Sequence, residues 1–132
     1  MKIMFTPGQI ASLAPNEIFV FGSNLRGYHG AGAAKTAYKL FGARLGQGIG
    51  FAGQSYAIPT KNEHFQTLRL DCISSFVDEF LEFAAGRLDL RFFVTPIGCG
   101  LAGYTPTDIA PLFLAGPRAP TSNVIFPKCF YN

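Results

Sequence analysis

Arg91–Asp108 reads RFFVTPIGCGLAGYTPTD, and the fold turns on this stretch. Arg91–Ile97 is a short apolar run rich in aromatic and β-branched residues, which predicts a buried strand. Gly98–Gly103 (GCGLAG) is a glycine loop. Thr105 then supplies an N-cap, Pro106 the first helical position and Asp108 the acid of a capping box. Pro111 is expected to shorten or kink that helix. Strand, glycine loop and helix in this order let backbone N–H groups approach and hold an anion. A Rossmann site would need an acid about twenty residues further on for the ribose, and none stands there.

Working outward, Glu17–Phe21 (EIFVF) predicts a second buried strand, and Ser23–Gly32 (SNLRGYHGAG) a glycine-punctuated loop. Ala33–Phe41 predicts a helix with Ala34, Ala37, Tyr38 and Phe41 on one face, ended by Gly42. Gly46–Gly53 reads as a turn-rich connector. Ser55–Pro59 (SYAIP) reads as a strand, closed by Thr60, Lys61 and Asn62. Leu68–Ala85 is the clearest helix: Leu70, Ile73, Val77, Phe80, Leu81 and Ala84 recur at three- and four-residue steps, and Gly86 stops it. Asn123–Pro127 closes the chain's strands. Strands alternating with helices predict an α/β fold, a three-layer α/β/α arrangement on a central mixed sheet.

A chain of 132 residues is the size of one domain, residues 1–132, and a chain of this length buries roughly two thirds of its unfolded surface. Charged residues are 14% of the chain and apolar ones 48%, which excludes a disordered tail. Fourteen Phe and no Trp point to a Phe-filled core. The net charge of +3 is mild and no window holds a basic run, so no strong nucleic-acid signal is present. Cys72, Cys99 and Cys129 are widely spaced, with no zinc spacing, and read as reduced thiols. No signal-peptide core and no long apolar run appears, so a soluble, cytoplasmic protein without membrane contact is expected.

Two segments match the spacing GxGxxG. Gly48–Gly53 (GIGFAG) leads from a helix end into a strand, the wrong context for a phosphate loop, and reads as a flexible turn. Gly98–Gly103 has the right context. Gly30–Thr36 (GAGAAKT) mimics a P-loop, but Ala34 stands where a glycine must precede the Lys, and His29 where another glycine belongs. Gly30 and Gly32 are therefore read as permitting close backbone approach to a ligand sugar, with Lys35 and Lys39 solvated. Lys61 follows a strand end, where a desolvated Lys could attack a sugar C1 through a Schiff base or balance phosphate charge. Glu63, His64 and Asp108 are polar neighbours in sequence. His29 and His64 read as surface or hydrogen-bonded histidines, and Tyr104 as either a stacking or a core aromatic.

Taken together, Phe19–Ala34 (FVFGSNLRGYHGAGAA), Ser55–Lys61 (SYAIPTK) and Pro96–Tyr104 (PIGCGLAGY) resemble, in that order, the macrodomain family, which binds ADP-ribose. The resemblance spans Glu17 to Phe113. FVFGSN and SYAIPTK are also similar to small macrodomain-like proteins of bacteria and their phages. The resemblance implies that Ile97, Gly98, Cys99, Gly100, Leu101, Ala102, Gly103 and Tyr104 wrap the diphosphate. It places Ser23, Asn24, Gly30, Ala31, Gly32 and Ala33 around the distal ribose, with Asn24 orienting it. The pattern looks closest to the branch that removes ADP-ribose from protein carboxylates or DNA bases, in which Lys61 would be the nucleophile. That branch carries an Asp where this chain has Ala102, a departure that argues against full hydrolase activity. The implied partner is ADP-ribose, or an ADP-ribosylated protein or nucleic acid, with no metal and no cofactor required. The alternatives are a non-catalytic module that recognises or sequesters an NAD-derived nucleotide and, third, a phosphate-loop NTPase.

Overall fold

A computed structural model describes residues 3–131. Five strands, β1 (Glu17–Asn24), β2 (Gly50–Ala52), β3 (Ser55–Lys61), β4 (Arg91–Val94) and β5 (Val124–Ile125), form one sheet in the order β2-β3-β1-β4-β5. β3, β1, β4 and β5 run parallel, and β2 runs antiparallel to β3 at one edge, so the sheet is mixed as the sequence predicts. Three helices, α1 (Gly32–Leu40), α2 (Leu70–Ala85) and α3 (Pro106–Leu114), accompany it.

Alternation along β1 separates two cores. Phe19 and Phe21 face one side and pack with Ala37, Phe41 and Ala57 under α1. Ile18 and Val20 face the other and pack with Ile58, Ile73, Val77, Phe80 and Phe113 under α2 and α3. A parallel sheet covered on both faces needs such near-continuous apolar strands, and β3 supplies one, with Ser55 to Thr60 all buried. Nine of the fourteen Phe are buried, as the composition implies. Phe80 on α2 contacts Tyr56 of β3 at 4.9 Å, Phe92 of β4 at 5.5 Å and Phe113 of α3 at 6.3 Å between ring centroids.

The elements differ from expectation in several places, β4 stopping at Val94 short of Ile97 and β3 running on to Lys61 among them. β1 runs three residues past Phe21, so Ser23 and Asn24 belong to the strand end rather than the loop. The connector after α1 contains the short strand β2, whose pairing with β3 sets its register. Tyr38 does not join the buried face of α1 and is 43% exposed, while Ala37 and Phe41 are buried. Pro111 stands inside α3, which ends three residues on at Leu114. Among the described residues no helix is long and apolar enough to cross a membrane.

Candidate functional site

The carboxyl ends of β1, β3 and β4 open onto a cavity of about 730 Å³, within the range of roughly 300–1,000 Å³ that small-molecule sites occupy. Three chain segments converge there: the end of β1 with the loop into α1, the end of β3 with the loop that follows, and the loop from β4 to α3. Of the candidate residues, Ser23, Asn24, Gly30, Ala31, Gly32, Ala33, Lys61, Ile97, Gly98, Gly100, Leu101 and Ala102 all line it. Cys99, Gly103 and Tyr104 do not.

The strand ends are fixed by a register slip. Ser23 pairs with Pro59 but Asn24 pairs with Lys61, leaving Thr60 as the extra residue of β3. Such a bulge redirects the side chains beside it. The hydroxyls on this floor are committed to the protein. Ser23 Oγ donates to the Gly48 carbonyl, Thr60 Oγ1 to the Ser23 carbonyl at 3.3 Å and Thr95 Oγ1 to the Val20 carbonyl at 2.7 Å. The Asn24 side chain is spent likewise: its Nδ2 donates to the Tyr28 carbonyl at 2.8 Å, and its Oδ1 accepts from the Tyr28 N–H at 3.0 Å. Asn24 therefore shapes the β1–α1 loop, and the ribose-orienting role implied for it has only one N–H and one Oδ1 lone pair left to draw on.

The main chain is not committed in the same way. Ala31, the N-cap of α1, has no side-chain cap, and the first turn of the helix carries no acid. Among the described residues, the N–H groups of Gly32, Ala33 and Ala34 have no partner, as the first turn of an uncapped helix leaves them. Across the cavity, the N–H groups of Gly98, Gly100, Leu101 and Ala102 are unpaired as well, whereas those of Cys99, Gly103 and Tyr104 bond to the carbonyls of Pro96, Gly100 and Gly98. The helix terminus that serves the cavity is thus α1. The helix that follows the glycine loop is closed by its own capping box, with Asp108 Oδ2 accepting from the Thr105 N–H and hydroxyl, each at 3.0 Å.

Lys61 is half-buried and is the one charged side chain among the described lining residues, and it forms no ion pair there. The other polar candidates lie elsewhere. Glu63 and His64 are exposed, 3.7 Å from each other. Lys35 and Lys39 are exposed on α1. His29 is buried at 3% exposure, with Nε2 at 2.8 Å from the Arg44 carbonyl and its ring edge-on to Phe21. No cluster of metal-ligating side chains occurs among the described residues.

Two expectations are corrected. Tyr104 does not stack in the cavity: its hydroxyl donates to the Leu68 carbonyl at 2.6 Å and its ring packs on the α2–α3 core. Cys99 turns to the same core, its Sγ–H reaching the Ile97 carbonyl, and burial pushes its thiol up to about 11. Both reorientations follow from loop geometry, since Gly98 at φ +75 and Gly103 at φ +90 reverse the chain on either side. Gly30 stays on the lining, and the side a Cβ would take is occupied by the Tyr28 ring, whose Cε2 would lie 2.2 Å from that Cβ.

Tyr28, Phe65, Thr60 and Thr95 also line the cavity and escape the sequence reading. Phe65 has φ +62, a left-handed conformation that costs a non-glycine residue of order 1–3 kcal/mol. Asn62 holds the loop in it, its Oδ1 accepting from the N–H of His64 and of Gln66. A Phe within the polar run KNEHFQ is the only sequence signal for this feature.

Fold and site together define a mixed-sheet α/β protein with a cleft walled by glycine and alanine backbone at its strand ends. Comparison with protein-family models, curated proteins and solved structures finds no match to the chain.

Proposed function

We propose that the cleft binds ADP-ribose or a related NAD-derived nucleotide, its diphosphate lying between the first turn of α1 and the β4–α3 loop. The observation that carries this reading is the division of donors. The strand-end hydroxyls point their protons into the protein, while two runs of main-chain amides, Gly32–Ala34 and Gly100–Ala102, are left without partners on one cavity. Amides at a helix start and in a glycine loop suit phosphate oxygens. Lys61 adds the positive charge such a ligand needs.

A second reading, ADP-ribosyl hydrolysis, draws on Lys61 alone. Its place on the cavity wall at a strand end fits a nucleophile toward the distal ribose C1. Ala102, on the lining, brings no carboxylate, and Asp108 is held in the α3 cap. The geometry therefore favours the binding module over the enzyme.

Calorimetric titration with ADP-ribose, with ATP and NAD as controls, tests the first reading; preference for ATP in a magnesium-dependent manner would replace it with a nucleotide triphosphatase. Incubation with ADP-ribosylated glutamate protein tests the second, which requires label loss that disappears in Lys61→Ala.

A further inference from the structure

We infer that Tyr28 and Phe65, with Arg26, form a stacking subsite on the rim of the cleft for a planar heteroaromatic ring of a nucleotide. Both rings line the cavity, yet they come from different segments, the loops after β1 and after β3. They meet edge to face with centroids 6.0 Å apart and remain 60% and 42% exposed. Two large aromatic surfaces left open beside a polar cradle are not core packing.

Each ring is held at a penalty or by a special residue. Phe65 sits at a positive φ that its five-residue loop enforces through Asn62. Strain maintained in this way points to a use for the side chain. Tyr28 lies over Gly30, where any larger residue would collide with it, and its backbone is clamped at both N–H and carbonyl by Asn24. The Arg26 guanidinium stands 5.6 Å from the Phe65 centroid, and it has no carboxylate partner among the described residues. Fixed aromatic faces together with an unpaired arginine match the way proteins take up nucleotide bases, by stacking and cation–π contact with a donor left for phosphate.

The subsite rests on the nucleotide reading of the cleft but engages a different part of the ligand. The ring could come from the adenine of ADP-ribose itself or from a base joined to its distal ribose. Phe65→Asn separates these sources, because Asn accepts the left-handed conformation and removes only the ring. Titration of wild type and variant uses three probes: inorganic pyrophosphate, ADP-ribose, and a single-stranded oligonucleotide carrying ADP-ribose on a base. Where the linkage is cleaved during titration, both proteins also carry Lys61→Ala.

The expected result is unchanged pyrophosphate affinity and an about tenfold loss for at least one base-bearing probe. Loss already present with ADP-ribose assigns the ring to adenine, and loss confined to the oligonucleotide assigns it to the attached base. Equal affinities of variant and wild type for all three probes overturn the subsite, and so does an equal loss for all three, which makes Phe65 structural. If wild type binds neither pyrophosphate nor ADP-ribose, the cradle fails; a ring-dependent gain on the oligonucleotide then still upholds the stacking site by itself.

Discussion

Gly48–Gly53 and Gly98–Gly103 share one spacing and put it to opposite uses. In the first, Gly48 and Gly53 let backbone meet backbone within the protein, while Gly50 faces open space. A Cβ at Gly48 would lie 2.0 Å from the Asn24 carbonyl oxygen, and one at Gly53 would lie 2.9 Å from the Gly42 Cα. In the second, a Cβ at Gly100 or Gly103 would meet nothing within 4 Å, and only Gly98 is backed by the protein, at 3.0 Å from Ile109 Cδ1. The first segment props the end of β1 from behind, since Ser23 donates to the Gly48 carbonyl. The second borders the open cleft from the front. What a glycine is for is decided by what faces its missing side chain, the protein at Gly48 and Gly53 and free volume at Gly100 and Gly103.

The comparison breaks most visibly at Gly48. Gly48→Ala forces backbone apart at the floor of the site, and a loss of about 3 kcal/mol or more is expected, from overpacking that a rigid strand end cannot relieve. A thermal melt reads this directly; a midpoint equal to that of wild type would show that the contact relaxes freely. Lys61→Ala is the next largest effect, and it falls on ligand rather than fold. The variant should melt like wild type and bind ADP-ribose about tenfold more weakly, the scale of one charge-assisted contact. A marked drop in melting temperature without ligand would make Lys61 structural instead. The smallest effect sharpens the boundary of the cradle. Cys99→Ser, within the glycine loop but turned to the core, should leave ADP-ribose affinity within about twofold. At pH 8 the wild-type Cys99 thiol, raised from 9.0 to about 11 by burial, should label about a hundredfold more slowly than an unshifted thiol, because the thiolate is the reacting form. Rapid labelling of Cys99 would place it in the cleft after all.

These contrasts also mark what the amino-acid sequence could convey. The α3 cap was readable because Thr105 and Asp108 act on each other within one turn. The α2 face was readable because Ile73, Val77, Phe80 and Ala84 repeat with the helix, and Phe80 packs where that repeat points. Lys61 was readable as close to a strand end, although β3 runs two residues past the apolar stretch Ser55–Pro59 and takes Lys61 in. The directions of Cys99 and Tyr104 were not readable: two positive-φ glycines set them, and a spacing of glycines does not state dihedral angles. β2 was missed because three residues carry no period and its partner β3 supplies the register. Tyr28 over Gly30, and Phe65 against Tyr28, are relations between loops that meet only in the folded chain. The uncapped start of α1 at Ala31 was not readable either, because the glycine-punctuated run before it gives no cap signal, and only the folded chain sets it on the cavity that Gly100 also lines.

Gly100→Glu offers the most direct test of the amide cradle. The position has an ordinary backbone conformation and open space around it, so the variant should melt with wild type. Its carboxylate would enter the volume assigned to diphosphate, where like charges about 4 Å apart repel by about 4 kcal/mol at an effective dielectric constant near 20. Calorimetry should therefore show measurable ADP-ribose binding by wild type and a loss of about a hundredfold or more in the folded variant. Equal affinity in the two proteins, with the variant shown to be folded, would contradict the cradle.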